Sequence, residues 1–171
     1  LGQKAYGETD YANALKLYQQ ATQLDPRFAL AWIGAARAQY AVFDASAAEP
    51  ALQRALALRS RLAPREAMYL DGWASEFRQP VDALDKWQLM TRMYPDFMPA
   101  QINVAIRLLR LNRFEQAIPY ARKATAPQDD LIGRAFDNLG RAELGSEQRR
   151  SAVGDLERAV ARTGALDFEL L

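Results

Sequence analysis

Tyr11-Ala12-Asn13-Ala14-Leu15-Lys16-Leu17-Tyr18-Gln19-Gln20-Ala21-Thr22-Gln23-Leu24-Asp25-Pro26 is the stretch whose reading decides the fold. Ala14, Tyr18 and Ala21 fall on one face of a helix, and Asp25-Pro26 stops that helix because proline donates no amide and restrains the residue before it. Ala14 then returns as Ala48, Ala83, Ala117 and Ala152, at spacings of 34, 35, 34 and 35 residues. The same steps carry Tyr18 to Leu52, Trp87, Ala121 and Leu156, and Ala21 to Ala55, Met90, Ala124 and Ala159. They also carry Gly2 to Ala36, Asp71, Ala105 and Gly140. Four ladders in register at a period near 34 signify stacked helical hairpins. Small side chains on the ladders let helix axes approach to roughly 8–10 Å, so Ala14 and its equivalents are expected in the core.

Outward from that stretch, apolar residues keep a helical period almost throughout and the alternation of a strand is absent. Helices are expected near 1–7, 10–24, 28–43, 47–60, 65–77, 80–93, 98–111, 114–125, 130–144 and 147–163. Tyr94-Pro95 repeats the stop at Asp25-Pro26, while Pro80 and Pro99 suit a first turn, where the missing amide costs nothing. Pro50 and Pro119 share one register just inside second helices, which either start late or are kinked. Glu8-Thr9, Asn112-Arg113 and Gly145-Ser146 are short connectors between antiparallel partners. The fold class is therefore all-α, a solenoid of about five helix-turn-helix repeats near 1–26, 27–61, 62–95, 96–129 and 130–164 in a single domain. Residues 165–171 begin a next helix or a cap.

The 171 residues are 50% hydrophobic and 25% charged, an ordinary balance for a folded chain. With 22 basic and 21 acidic residues the net charge is +1, so no global field draws nucleic acid or a membrane surface. There is neither Cys nor His. Disulfides and thiol chemistry are thereby excluded, while cytosol and periplasm both stay open, the cytoplasm slightly favoured. No signal-peptide pattern and no apolar run of roughly 20 residues is present.

The ladder residues resemble the tetratricopeptide repeat. The first unit matches through Leu1, Gly2, Tyr11, Ala14, Tyr18, Ala21 and Pro26, and the second through Trp32, Ala36, Ala48, Leu52 and Ala55. The fourth matches through Ala105, Phe114, Ala117 and Ala124, and the fifth through Phe136, Leu139, Gly140, Ala152, Leu156 and Ala159. In the third, Ala83, Trp87 and Pro95 keep register, but Asp71 stands where Gly or Ala is expected. A carboxylate there must face solvent or pair with an arginine, since burying it unpaired is costly. Tyr18, Trp32 and Trp87 are expected as core fillers, and Trp73 as either core or an exposed anchor for a partner. The array starts inside the first helix of a unit, which points to a piece of a longer protein.

The resemblance implies a right-handed α-solenoid with function on the first helices, which line a concave groove. Facing side chains there include Tyr6, Ile33, Arg37, Tyr40, Arg65, Met68, Tyr69, Asn103, Ile106, Leu109, Arg110, Arg134, Asn138 and Arg141. Arg37, Arg65, Arg110, Arg134 and Arg141 carry donor forks suited to carboxylates, with Asp137 and Glu76 as the nearby offset, while Tyr40, Tyr69 and Ile106 supply apolar area. Asn103 and Asn138 would hold a peptide main chain. The expected function is a protein-interaction module for an acidic and hydrophobic peptide or a partner helix. The other possibility is a regulatory segment of a bacterial signalling protein (a transcriptional regulator, cyclase or kinase) binding a ligand or its own attached domain; the stretch from Arg61 to Ala117 is similar to such arrays. The clamp by which some members hold C-terminal carboxylates fits poorly, because Met68 and Gly72 stand where Lys and Asn are wanted.

Catalysis has no foundation without His or Cys, since Ser46, Ser60, Ser75, Ser146 and Ser151 lie in no nucleophile-elbow context. No cofactor or metal is expected. Asp129-Asp130 reads as a helix cap rather than a ligand pair.

Overall fold

The computed structural model describes residues 1–125, 132–146 and 149–163. Among them are ten α-helices: α1 (Gly2–Gly7), α2 (Tyr11–Leu24), α3 (Ala29–Val42), α4 (Ala45–Ala57), α5 (Pro64–Arg78), α6 (Pro80–Met93), α7 (Met98–Arg110), α8 (Phe114–Ala124), α9 (Ile132–Gly145) and α10 (Arg149–Thr163), with one 3-10 turn at Arg59–Arg61. Asp129, Asp130 and residues 165–171 lie outside the described residues.

Local chemistry sets the boundaries. Asp10 and Asp44, equivalent positions in successive repeats, each cap a second helix by accepting from the amides of Asn13 at 3.2 Å and Ala47 at 2.8 Å. Hydrogen bonds from Ser46 and the Ala47 amide hold the Asp44 carboxyl below its usual range. In the third repeat Pro80, the first residue of α6, serves in place of a cap. Thr9 and Asn112 occupy one repeat position and both take left-handed backbone, φ 62° and 55°, to turn between helices. Pro50 and Pro119 are each the sixth residue of a helix that begins on time, so neither α4 nor α8 starts late.

The ladders are the core. Ala14, Ala48, Ala83 and Ala117 are fully buried and Ala152 is 1% exposed. The chain packs as two compact units, residues 1–6 with 10–86, and residues 7–9 with 87–171. In the first, α3 packs on α2, α4 and α5. There the Tyr18 ring is boxed by Gly2 and Gly34, where an added Cβ would come within 2.9 and 2.2 Å of it. In the second, α7, α8, α9 and α10 pack in sequence and α7 also meets α9. Gly140 abuts Leu156 in the same way, at 2.6 Å from an added Cβ. Gly2 with Tyr18 and Gly140 with Leu156 are thus the same ladder pair in the first and last repeats, a missing side chain making room for a large one.

Two aromatic expectations separate. Trp87 is buried in the core and Trp73 is buried as well. Trp32 is only half-buried, and its indole Nε1 donates to the Pro26 carbonyl at 2.9 Å. Gln101, the equivalent residue two repeats on, donates to the Pro95 carbonyl at 2.9 Å. The position seals the joint after the proline stop rather than filling the core, which is why an indole and an amide both serve there.

Candidate functional site

In the first unit the expected groove residues come together as an aromatic cage rather than an open donor surface. Arg37 on α3 is 4% exposed, and its guanidinium lies 4.1 Å from the Tyr6 ring centroid, 5.4 Å from Trp73 and 5.6 Å from Tyr69. Rings around a desolvated guanidinium stabilise it through their quadrupoles. Its Nη1 also donates to Gln3 Oε1 at 3.3 Å. The expectation of Arg37 as an outward fork is corrected: the rings that the 3.6-residue period sets on neighbouring turns, Tyr69 and Trp73 on α5 with Tyr6 on α1, enclose it. Burial pushes the Tyr18 phenol up to about 12, against the pull of the Arg37 charge, and keeps it protonated.

Tyr69 is itself buried, edge-on to Trp73 at 6.3 Å, and Tyr40 is half-buried with its ring 4.9 Å from Phe77. Arg65 is exposed and spans Glu66 Oε1 with Nη2 at 2.7 Å and Nε at 3.0 Å. Burial works against the Glu66 carboxyl, but Arg65 holds it below the usual range. Gln3, Glu66 and Phe77 were absent from the sequence expectation. Gln3 was within reach of it, because Gln3 and Arg37 are one repeat apart and bond across that interval.

In the second unit α7 carries Asn103, Ile106 and Arg110, and α9 carries Arg134, Asn138 and Arg141. Ile106 is buried at 8% exposure. Arg110 is exposed and Arg134 half-buried. Arg141 Nε meets both Asp137 oxygens at 3.0 Å one turn back in α9, so much of its charge is answered within the helix. Asn103 and Asn138, one repeat apart on packed helices, are both buried, yet Asn103 Nδ2 and Asn138 Oδ1 have no hydrogen-bond partner among the described residues. Buried amide groups left unmatched cost about 1–3 kcal/mol each, so a pair at one register stands out.

The stacked helical hairpins recur in solved structures. The fold is that of the tetratricopeptide repeat. YrrB, a tetratricopeptide protein with an unusual peptide-binding site, is similar at 22% identity and TM-score 0.53 over 99% of this chain and 85% of its own. PilW, a type IV pilus biogenesis factor, is similar at 22% identity and TM-score 0.59 over 98% and 76%. MamA is similar at 19% identity and TM-score 0.53 over 96% and 95%. No family model and no curated protein matches the chain. Among the described residues no helix of this tetratricopeptide array is long and apolar enough to cross a membrane, and no three metal-ligating side chains converge.

Proposed function

We propose that the protein is a peptide-binding interaction module whose site centres on Asn103 and Asn138. The observation that carries this reading is the pair of buried amides, one donor and one acceptor, unmatched at the same register of α7 and α9. A peptide backbone offers the complementary carbonyl and amide at regular intervals, and the exposed Arg110 with the half-buried Arg134 favours acidic side chains beside it. The likeness to YrrB, which has a peptide-binding site, lends support at the level of the fold. The arginine contribution is smaller than composition suggests, because Arg37 is enclosed by rings and Arg141 is paired with Asp137.

A peptide-array screen followed by calorimetry tests the reading. Acidic and apolar peptides should outbind basic ones, and Arg110→Glu with Arg134→Glu should weaken the best of them and flatten its salt dependence. Equal binding of acidic and basic peptides, or unchanged affinity in the double variant, would refute it.

A further inference from the structure

In the second unit α9 packs against both α8 and α10, and Glu143 on α9 is buried where the fold does not call for an acid. The equivalent residue one repeat earlier is Leu108, fully buried and apolar. Glu143 Oε1 accepts from Arg122 Nη2 on α8 at 3.1 Å, but Oε2 is buried with no hydrogen-bond partner among the described residues. The nearby Asp155 carboxylate on α10 adds to the cost of burial instead of relieving it, so the Glu143 carboxyl is held above its usual range. A buried carboxyl matched at one oxygen only is costly to keep.

Glu143 lines a cleft of about 420 Å³ whose charged lining, among the described residues, is Arg122, Glu143, Asp155 and Arg158. These four are layered by sign. The Glu143 and Asp155 side chains are 2% and 8% exposed and form the floor, whereas those of Arg122 and Arg158 are 62% and 63% exposed and form the rim. Each arginine spends one nitrogen on its acid, Arg158 Nη1 meeting Asp155 Oδ1 at 2.5 Å. A guanidinium has five N–H donors, so most of them stay available at the rim. Phe136 and Leu139 give the cleft an apolar wall. Gly154 lines it too, and an added Cβ there would meet nothing within 4 Å. Helix α10 thus carries a poor helix former where no crowding requires one, and the space beside it stays open.

We propose that this cleft binds a free apolar α-amino acid as its zwitterion. The ammonium brings three donors to the floor and supplies Glu143 Oε2 and the Asp155 carboxylate with charge-assisted bonds. The carboxylate takes the remaining N–H groups of Arg122 and Arg158, and the side chain lies along Phe136 and Leu139. The order of charges selects the zwitterion: the rim arginines repel a simple cation on entry, and the acids beneath repel a simple anion. This site uses none of the residues of the Asn103 and Asn138 reading and stands apart from it.

The test is calorimetric titration of the whole chain with L-leucine, leucine amide, which lacks the carboxylate, and N-acetyl-leucine, which lacks the ammonium. Leucine should bind saturably, and each analogue about tenfold or more weaker. Glu143→Gln should bring leucine down to the level of N-acetyl-leucine, and Arg122→Gln with Arg158→Gln down to the level of leucine amide, two matches that general loosening of the fold does not produce. Gly154→Leu favours the helix and fills the open wall, so it should raise the thermal midpoint while blocking leucine. Arg110→Glu, outside the cleft, should leave leucine binding unchanged. The proposal is overturned if leucine does not bind, if either analogue binds as well as leucine, or if Gly154→Leu binds it like the parent. It is also overturned if magnesium or calcium binds and excludes leucine, which would assign the two acids to a metal ion.

Discussion

Arg59 grips Asp71 through two parallel bonds, Nε to Oδ1 at 2.8 Å and Nη2 to Oδ2 at 2.5 Å, on the ladder step where a carboxylate replaces a small residue. The 3-10 turn at Arg59–Arg61 brings the arginine there. Both side chains keep substantial exposure, 49% and 35%. An ion pair in that setting is worth about 0–1 kcal/mol, because water screens it and two side chains must be ordered to form it. Asp71→Ala is therefore expected to change stability by less than about 1 kcal/mol in urea melts. A loss above about 3 kcal/mol would mean that the pair acts as a buried one.

Trp87 is 1% exposed and has the largest volume of the fully buried side chains. Trp87→Ala should cost roughly 3–5 kcal/mol in the same melts. The transition should also broaden as neighbouring repeats uncouple, as stacking in one dimension allows. A cost under about 1 kcal/mol would place the ring at a yielding surface.

An added Cβ at Gly140 would meet Leu156 Cγ at 2.6 Å and the Ala152 carbonyl oxygen at 3.2 Å. Gly140→Ala should destabilise by about 1–3 kcal/mol through overpacking. In a Leu156→Ala background the added methyl should cost much less, a coupling that a double-mutant cycle measures. Additive effects would show that the two positions do not share a contact.

The repeat architecture was legible because it is written in steric minima: Ala14, Ala48, Ala83, Ala117 and Ala152 are small for one reason, and a period exposes that reason without any three-dimensional knowledge. The ends at Pro26, Pro80 and Pro95 were legible as well, because proline acts locally, whereas the Asp10 and Asp44 caps emerged only from the structure. The site was less so. Arg37 carries a charge, and a charge on a first helix reads as surface until three rings from α1 and α5 are seen around it. Trp32 reads as core by size, yet the Pro26 carbonyl beside it claims its N–H. Arg65 and Arg141 read as available donors, but Glu66 and Asp137 lie one residue and one turn away, and whether such neighbours pair depends on rotamers that spacing alone leaves open.

Glu143 offers a pH test. Its side chain is 2% exposed, and burial, reinforced by the nearby Asp155 charge, raises its carboxyl above the usual range despite the Arg122 bond at 3.1 Å. Below the ordinary Glu range both folded and unfolded chains are protonated here and the site is neutral toward stability. As pH rises through that range and past the raised value, the unfolded chain releases its proton more readily, and stability is lost. Glu143→Gln should match the parent protein in acid and exceed it above the raised value, since Arg122 at 62% exposure loses little. A variant less stable than its parent at neutral pH would show that the Arg122 bond outweighs burial.

The central claim is that Asn103 and Asn138 are kept polar for a peptide and not for the fold. Leucine has the branched skeleton of asparagine with bulkier methyl ends and carries no unmatched amide. Asn103→Leu with Asn138→Leu should leave the protein folded, with stability within about 3 kcal/mol of the parent, the removed orphan atoms offsetting part of the overpacking and of any bond lost at the other end of each amide. Calorimetric titration of this double variant with the best acidic peptide should show affinity reduced tenfold or more, about 1.4 kcal/mol. Unchanged affinity in a variant that remains folded would contradict the account.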